Sequence, residues 1–230
     1  MQYYKNFEEM KALAQTELFT ALVGDVLDKM GHFHQFLPAS IKPLDPKMIV
    51  FGKAMPVLEA DVFSEKLEIS SNTFINKPFG IMFEALDDLK ENEVYICTGS
   101  SLCYALWGGL MSTRALKLKA AGAVLNGYSR DTNEVLRLNF PTFGRGTYAQ
   151  DQGPRGKVID FRVPIEIEGV IINPGDIIYG DRDGVVVIPQ EIQDEVMEQA
   201  LEKARGEKNV LKALQEGMTT VDAFAKYGIM

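Results

Sequence analysis

Apolar and polar positions follow two rhythms along this chain, and the switches between them predict helices alternating with strands. Helical spacing covers Phe7 to Met30. Thr20 is placed to cap a second segment, with Leu22, Val26, Leu27 and Met30 apolar and Asp25, Asp28 and Lys29 polar. Gly31 ends it, and a proline-punctuated connection runs from Pro38 to Pro46. Lys47 to Leu58 alternates around Gly52 and predicts a strand. Asp61 to Asn76 is polar and fits either a hairpin or an irregular excursion. Pro78 to Leu89 sets Phe79, Met82, Phe83, Leu86 and Leu89 on one helical face. Glu93 to Thr98 is short and apolar enough for a buried strand, closed by Gly99, Ser100 and Ser101.

The most informative stretch is Trp107 to Asp131, which predicts loop, helix, strand and loop in succession. Gly108 and Gly109 allow a tight turn and a close backbone approach. Met111 to Ala121 has helical spacing, with Gly122 as its stop. Ala123 to Leu125 is a short buried strand, ended by Gly127, and Ser129, Arg130 and Asp131 follow at its carboxyl end. Open α/β sheets bind ligands at that end of their strands. A helix N-terminus supplies free N–H groups and the positive end of a dipole, both suited to a carboxylate. Arginine supplies a forked, permanently charged donor. Aspartate beside it suits a hard cation that keeps several waters, such as Mg2+. These parts match a 2-oxo acid, although an adjacent Arg-Asp pair is more often an ordinary surface ion pair.

Beyond Asp131, Thr132 to Asn139 predicts a short helix and Phe140 to Phe143 a short strand. Gly144 to Gly156 is a glycine-rich polar loop carrying Arg145 and Arg155. Arg145 is a candidate for a distal substrate carboxylate, with a solvated loop arginine as the commoner case. Val158 to Ile167, Val170 to Ile172, Ile177-Ile178 and Val185 to Ile188 predict strands. Turns at Pro174-Gly175-Asp176 and at Gly180 to Gly184 separate the later ones. The Asp181/Asp183/Gly184 run is not a calcium loop, because Ile192 stands where the closing glutamate belongs. Gln190 to Glu216 predicts a long amphipathic helix that Gly217 stops, and Thr219 and Thr220 cap a last helix over Val221 to Tyr227. The pattern predicts a single α/β domain over residues 1–230 with mixed strands.

Composition removes several function classes. A net charge of −8 over 230 residues argues against a nucleic-acid surface. No window is long and apolar enough to span a bilayer, and the N-terminal residues do not read as a signal peptide. The two cysteines, Cys97 and Cys103, sit in or beside apolar runs and are expected to be reduced core thiols, which suggests a cytoplasmic protein. His32 and His34 are the only histidines, leaving no material for a zinc site or a serine-histidine triad. Asp25 and Asp28 are expected on a solvated face, and Trp107 is expected to pack at a pocket wall.

Three segments together resemble the RraA-like family: G-G-L-M-S-T-R-A, A-G-A-V-L-N-G-Y-S-R-D and V-I-I-N-P-G-D-I-I-Y-G-D-R-D-G-V-V-V-I-P. The likeness spans nearly the whole chain. That family includes class II 4-hydroxy-4-methyl-2-oxoglutarate / 4-carboxy-4-hydroxy-2-oxoadipate aldolases and regulators of ribonuclease E. The resemblance implies a three-layer β/β/α swivelling-domain-like fold and a homotrimer or hexamer with active sites between subunits. It implies that Arg130 binds the pyruvyl carboxylate and carbonyl oxygen and stabilises an enolate. The backbone from Gly108 through Gly109 and Leu110 to Met111 would take the substrate carboxylate, and Asp131 would ligate Mg2+ or Mn2+. Glu207 is the candidate for an acidic residue contributed by a neighbouring subunit. The implied activity is a metal-dependent lyase releasing pyruvate, by retro-aldol cleavage of 4-hydroxy-2-oxo acids or by decarboxylation of oxaloacetate. The alternative is a non-catalytic protein that binds and regulates an RNA-degrading enzyme. The chain departs from the aldolase pattern at Gly109, where the aldolases carry an acidic residue.

Overall fold

The structure, a computed structural model, describes residues 3–62 and 76–229. These residues form two compact units, one of residues 34–190 and one of residues 1–33 with 191–230.

The larger unit is built on one mixed sheet. Its strands are β1 (Lys42–Pro43), β2 (Val50–Asp61), β3 (Glu93–Thr98), β5 (Gly122–Leu125), β7 (Thr142–Gly144), β8 (Gly156–Phe161), β11 (Ile177–Gly180) and β12 (Val185–Ile188). They run in the order β1-β7-β5-β3-β2-β11-β12, with β8 also paired to β2. The centre is parallel: β2 pairs β3, β3 pairs β5 and β5 pairs β7 in that sense. The carboxyl ends of these four strands therefore share one edge. Two small pairings lie outside the sheet, namely β4 (Ala105–Trp107) with β6 (Tyr128–Ser129), and the hairpin of β9 (Ile165–Ile167) and β10 (Val170–Ile172).

Alternation along the central strands divides the core in two. Tyr95 and Cys97 of β3, with Met55, Val57, Ala123 and Leu125, pack under the helices α3 (Met82–Asp87) and α4 (Gly109–Lys117). Val94 and Ile96, with Ala54, Val124, Val185 and Val187, pack on the β9–β10 hairpin through Ile165, Ile167, Val170 and Ile172. Hairpin, sheet and helices give three layers, β/β/α. A strand buried on both faces reads as a continuous apolar run, which is how β3 and β5 appear in the sequence.

The smaller unit is helical: α1 (Phe7–Glu17), α2 (Thr20–Lys29), α6 (Gln193–Gln215) and α7 (Thr220–Tyr227). Asn6 caps α1 by accepting from the Glu9 N–H, and Thr219 caps α7 by accepting from the Asp222 N–H. Arg205 of α6 pairs with Glu17 of α1, and Lys203 with Asp25 of α2. Asp25 thus lies on a charged helix face, as expected.

Several boundaries differ from the sequence reading. The first helical stretch breaks at Leu18 and Phe19, both extended, so the second helix starts at Thr20 with Phe19 in the capping position. The helix expected over Met111 to Ala121 is Gly109–Lys117. It ends at Leu118 and Lys119, the latter left-handed at φ 60°, and Gly122 opens β5 instead. A side chain at Gly122 would come within 2.7 Å of the Pro141 carbonyl oxygen, so its role is close strand packing. The helix expected from Pro78 begins only at Met82. Cys97 is buried as expected, but Cys103 is exposed rather than in the core. The Gly180 to Gly184 turn is a hairpin joining β11 to β12. Most of the ambiguous stretch from Asp61 to Asn76 lies outside the described residues. No helix among the described residues is long and apolar enough to cross a membrane.

Candidate active site

The parallel β4–β6 pairing brings together what the sequence separates. Arg130 follows β6, and its N–H donates to the Trp107 carbonyl oxygen at 2.9 Å, which ties it to the turn that opens α4. Asp131 is next, in the left-handed region at φ 54°, and its carbonyl accepts from the Glu134 and Val135 N–H groups at the start of α5 (Thr132–Leu138). Aspartate tolerates that conformation better than most residues, and such strain concentrates at functional positions. The kink aims the Asp131 carboxylate at α4, where Oδ2 accepts the Gly109 N–H at 3.2 Å. One free amide of the helix N-terminus is thereby capped from a distant strand end.

The approach needs Gly108, while Gly109 leaves room for the Glu134 side chain. A Cβ on Gly108 would stand 2.6 Å from Asp131 Oδ2, and one on Gly109 would stand 2.6 Å from Cγ of Glu134. Trp107 anchors the turn from below. Its Nε1 donates to Ser112 Oγ at 2.7 Å, and its ring stacks on Phe140 with centroids 5.8 Å apart. It is buried, so it is a packing residue in the wall.

A cavity of about 230 Å³ opens over these groups. That is below the size of drug-sized ligand pockets and suits a small acid. Gly108, Leu110, Met111, Arg130 and Asp131 all line it. Two further residues of the polar loop join them. Asp151 Oδ1 forms an ion pair with Arg130 Nη1 at 2.7 Å, while the Arg130 Nε to Asp131 Oδ2 distance is 3.9 Å. Gln152 closes the floor, buried. Nothing in the loop's spacing marked Asp151 or Gln152; only the path of the chain brings residues 151–152 against Arg130. Arg145 does not line the cavity. Its guanidinium donates to Asn126 Oδ1 at 2.9 and 2.8 Å and to Ser40 Oγ at 2.7 Å, and it pairs with Glu168. Glu207 belongs to the helical unit, where it pairs with Lys203 at 3.4 Å.

Behind Gln152 lies a buried acid that the sequence reading passed over. Glu59 is 2% exposed and sits where the β2–β8 register shifts, a bulge of the kind that re-aims side chains beside sites. Its Oε2 accepts from Gln152 Nε2 at 2.8 Å, and its Oε1 has no partner among the described residues. Burial pushes its carboxyl up from 4.5 to about 8; the Cys97 thiol pulls it down and the charge of Asp61 adds to the rise. Asp61 behaves oppositely. Burial raises it, but hydrogen bonds from the Ser101 N–H and the Tyr104 hydroxyl, at 2.9 and 2.7 Å, outweigh burial and hold it below the usual carboxylate range. A glutamate directly after the strand expected over Lys47 to Leu58 was the one available signal for Glu59.

Residues 20–187 match the RraA-like family, described as Aldolase/RraA. The chain belongs to the RraA-like family. A relative from Halalkalibacterium halodurans, named "Putative 4-hydroxy-4-methyl-2-oxoglutarate aldolase", is 31% identical over 89% of this chain and 89% of its own length. Protein DlpA of Legionella pneumophila is 29% identical over 90% of this chain, which spans only 32% of that longer protein. Among solved structures, Streptomyces coelicolor RraAS2, described as an unusual member of the RNase ES inhibitor RraA protein family, superposes with a TM-score of 0.72. The superposition covers 90% of this chain and 97% of that one, at 20% identity, and shows the shared RraA-like fold alone.

The Glu59 geometry makes stability depend on pH. Between 4.5 and about 8 the unfolded chain releases the Glu59 proton while the folded chain keeps it, so stability falls as pH rises through that window. Glu59→Gln removes the linkage, at up to ~1.4 kcal/mol per pH unit. The Tm advantage of the variant over the parent is expected to be larger at pH 8 than at pH 5. A pH-independent difference in melting scans contradicts a buried neutral acid.

Proposed function

We propose that this chain is a lyase acting on 2-oxo acids, releasing pyruvate by retro-aldol cleavage of 4-hydroxy-2-oxo acids, by oxaloacetate decarboxylation, or both. The observation that carries this reading is the convergence of Arg130, Asp131 and the α4 N-terminus on one small cavity. The relative named as an aldolase, aligned over most of both chains, supports it. The likeness to RraA regulators rests on fold, so it gives no comparable support to a purely regulatory protein.

In this reading the substrate carboxylate lies on the first-turn amides of α4, and Arg130 donates to the C2 oxygen. As the C3–C4 bond breaks, its electrons pass into a pyruvate enolate, and Arg130 faces the negative charge that develops. In retro-aldol cleavage the C4 hydroxyl proton leaves to water and C4 becomes a carbonyl; in decarboxylation C4 departs as carbon dioxide. Water then protonates C3. Asp151 holds Arg130 in place through the 2.7 Å ion pair.

Asp131 fits a hard divalent ion such as Mg2+ or Mn2+. No group of three His, Cys, Asp or Glu side chains among the described residues forms a closed metal cage, and Mg2+ is commonly held by one or two carboxylates, water and substrate. Such an ion supplies Lewis-acid polarisation of the C2 carbonyl. Assembly into a trimer or hexamer, with Glu207 approaching a neighbouring site, and a cytoplasmic location belong to the same proposal.

Arg130→Ala is expected to lower kcat/KM by about 10²–10³-fold with far-UV circular dichroism intact; an unchanged kcat/KM rejects the role. Asp131→Asn keeps a residue that tolerates φ 54°, so its losses report on charge rather than backbone strain. It is expected to weaken Mn2+ binding in titration calorimetry, and EDTA is expected to inactivate the parent. Full activity after chelation overturns the metal assignment. Sedimentation velocity at micromolar concentration is expected to give a trimer or hexamer. A fully active monomer removes the shared-site proposal.

Gly109 generates a sharper expectation. Lacking a carboxylate there, the chain should favour decarboxylation over retro-aldol cleavage of 4-hydroxy-4-methyl-2-oxoglutarate. Its φ is not positive, so the backbone accepts a side chain, but Glu134 occupies the space. Gly109→Asp alone should therefore gain little, and Gly109→Asp with Glu134→Ala should raise the aldolase-to-decarboxylase ratio. A parent whose best substrate is 4-hydroxy-4-methyl-2-oxoglutarate contradicts the argument.

A further inference from the structure

Burying a carboxyl group away from water costs stability, and Glu59 bears that cost in full. It is 2% exposed within a single chain, so a neighbouring subunit adds nothing to its surroundings. Its place is fixed from two sides. On one, the register between β2 and β8 shifts between Leu58 and Glu59. On the other, Gly99 follows β3 at φ 107°, and a Cβ there would stand 2.1 Å from the Glu59 carbonyl oxygen. Tyr95 and Cys97 of β3 lie beside the carboxyl, and the Cys97 thiol hydrogen-bonds to it. Met55 and Val57, two and four positions earlier on β2, fill the same core with apolar side chains. Packing alone would be served by another apolar residue at position 59.

The group that uses the carboxyl is Gln152. It is 4% exposed, lines the cavity, and donates from Nε2 to Glu59 Oε2 at 2.8 Å. Backbone bonds tie the loop around it: the Ala105 N–H donates to the Gln150 carbonyl, and the Arg155 and Gly156 N–H groups donate to the Gln152 carbonyl. The bond to Glu59 sets the side-chain amide. An acceptor at Glu59 turns Nε2 inward and so selects one of two orientations of nearly equal shape. Asp151, the preceding residue, carries the ion pair to Arg130 on Oδ1 and accepts the Gly153 N–H at 3.1 Å on Oδ2. Two side-chain contacts and one peptide bond therefore connect Glu59 in the core to the guanidinium of Arg130.

We infer that Glu59 is a positioning residue of the proposed lyase: by accepting from Gln152 it fixes the amide in the cavity floor and steadies the Asp151 that holds Arg130. The inference rests on that proposed function and adds to it a residue that never meets the substrate. Its effect is geometric. Arg130 has to face the C2 oxygen as charge develops there, and a misplacement of about 1 Å from a distant change can cost about a hundredfold in rate. The loss falls on kcat more than on KM, because the α4 amides that take the substrate carboxylate are held without Glu59.

The test measures kcat, KM and Tm for Glu59→Leu, Glu59→Gln, Gln152→Leu and the double variant Glu59→Leu with Gln152→Leu, on whichever of oxaloacetate and 4-hydroxy-4-methyl-2-oxoglutarate the parent turns over. Glu59→Leu removes the acceptor and is expected to lower kcat by about tenfold or more with KM little changed. Glu59→Gln keeps an acceptor oxygen in the same shape and is expected to restore kcat. In the double variant both partners are apolar and no buried donor is stranded, so Tm should recover, while kcat should stay at the level of Gln152→Leu. An unchanged kcat in Glu59→Leu overturns the role, as does a Glu59→Gln variant no faster than Glu59→Leu. Recovery of kcat together with Tm in the double variant marks packing alone and overturns it too. Should Glu59→Leu fail to fold, the double variant against Gln152→Leu decides: equal kcat supports action through Gln152, and a further loss contradicts it. A parent that turns over neither substrate overturns the lyase reading, and the positioning role with it.

Discussion

The larger unit depends on burying β3 and β5 on both faces. Their residues are almost wholly apolar and almost wholly out of water, so the sheet needs a cover on each side. The helices α3 and α4 supply one, and the β9–β10 hairpin the other. Parallel pairing of β2, β3, β5 and β7 then sends four strand ends to one edge. Beyond that edge the chain leaves the sheet at Gly99, Asn126 and Arg145, while β2 runs on through Glu59 in its pairing with β8. The cavity lies near that edge because Arg130 and Asp131 follow the short pairing that the β5 exit makes with β4.

Within the site the decisive contact is the one between Asp131 and the first turn of α4. It pairs a left-handed aspartate with Gly108, where a Cβ would stand 2.6 Å from Asp131 Oδ2. The same contact orients Arg130, whose amide is bound to Trp107 and whose guanidinium is bound to Asp151. A substrate carboxylate approaching Arg130 meets these two acids as well, which limits how much negative charge the cavity welcomes. The buried Glu59 behind Gln152 fits that limit, since it is neutral near pH 7 and adds no charge to the floor.

Much of the fold was legible before any coordinates. The continuous apolar runs at Glu93–Thr98 and Ala123–Leu125, the amphipathic spacing of Gln190–Glu216 and the turn at Gly180–Gly184 each predict the element that forms. Some boundaries fell elsewhere. Leu18 and Phe19 are extended although their spacing continues a helix, Lys119 turns left-handed where Gly122 had been expected to do so, and Gly122 serves strand packing. Local pattern records which face of a segment is apolar. It does not record where neighbouring backbone leaves no room for a side chain.

The site divides in the same way. The sequence by itself determined that Gly108–Met111 open a helix and that Arg130 and Asp131 follow a buried strand, because those are consequences of short-range spacing and of residue chemistry. It also held the family resemblance that the match over residues 20–187 bears out. Only the tertiary structure decided that Asp131 caps α4, that Asp151 and Gln152 join the cavity, that Glu59 lies behind it, that Arg145 is tied elsewhere, and that Phe79, Met82 and Phe83 line the same cavity. Each of these joins residues far apart in the chain, and such contacts are set by how strands pair and which faces they bury, which no local pattern encodes.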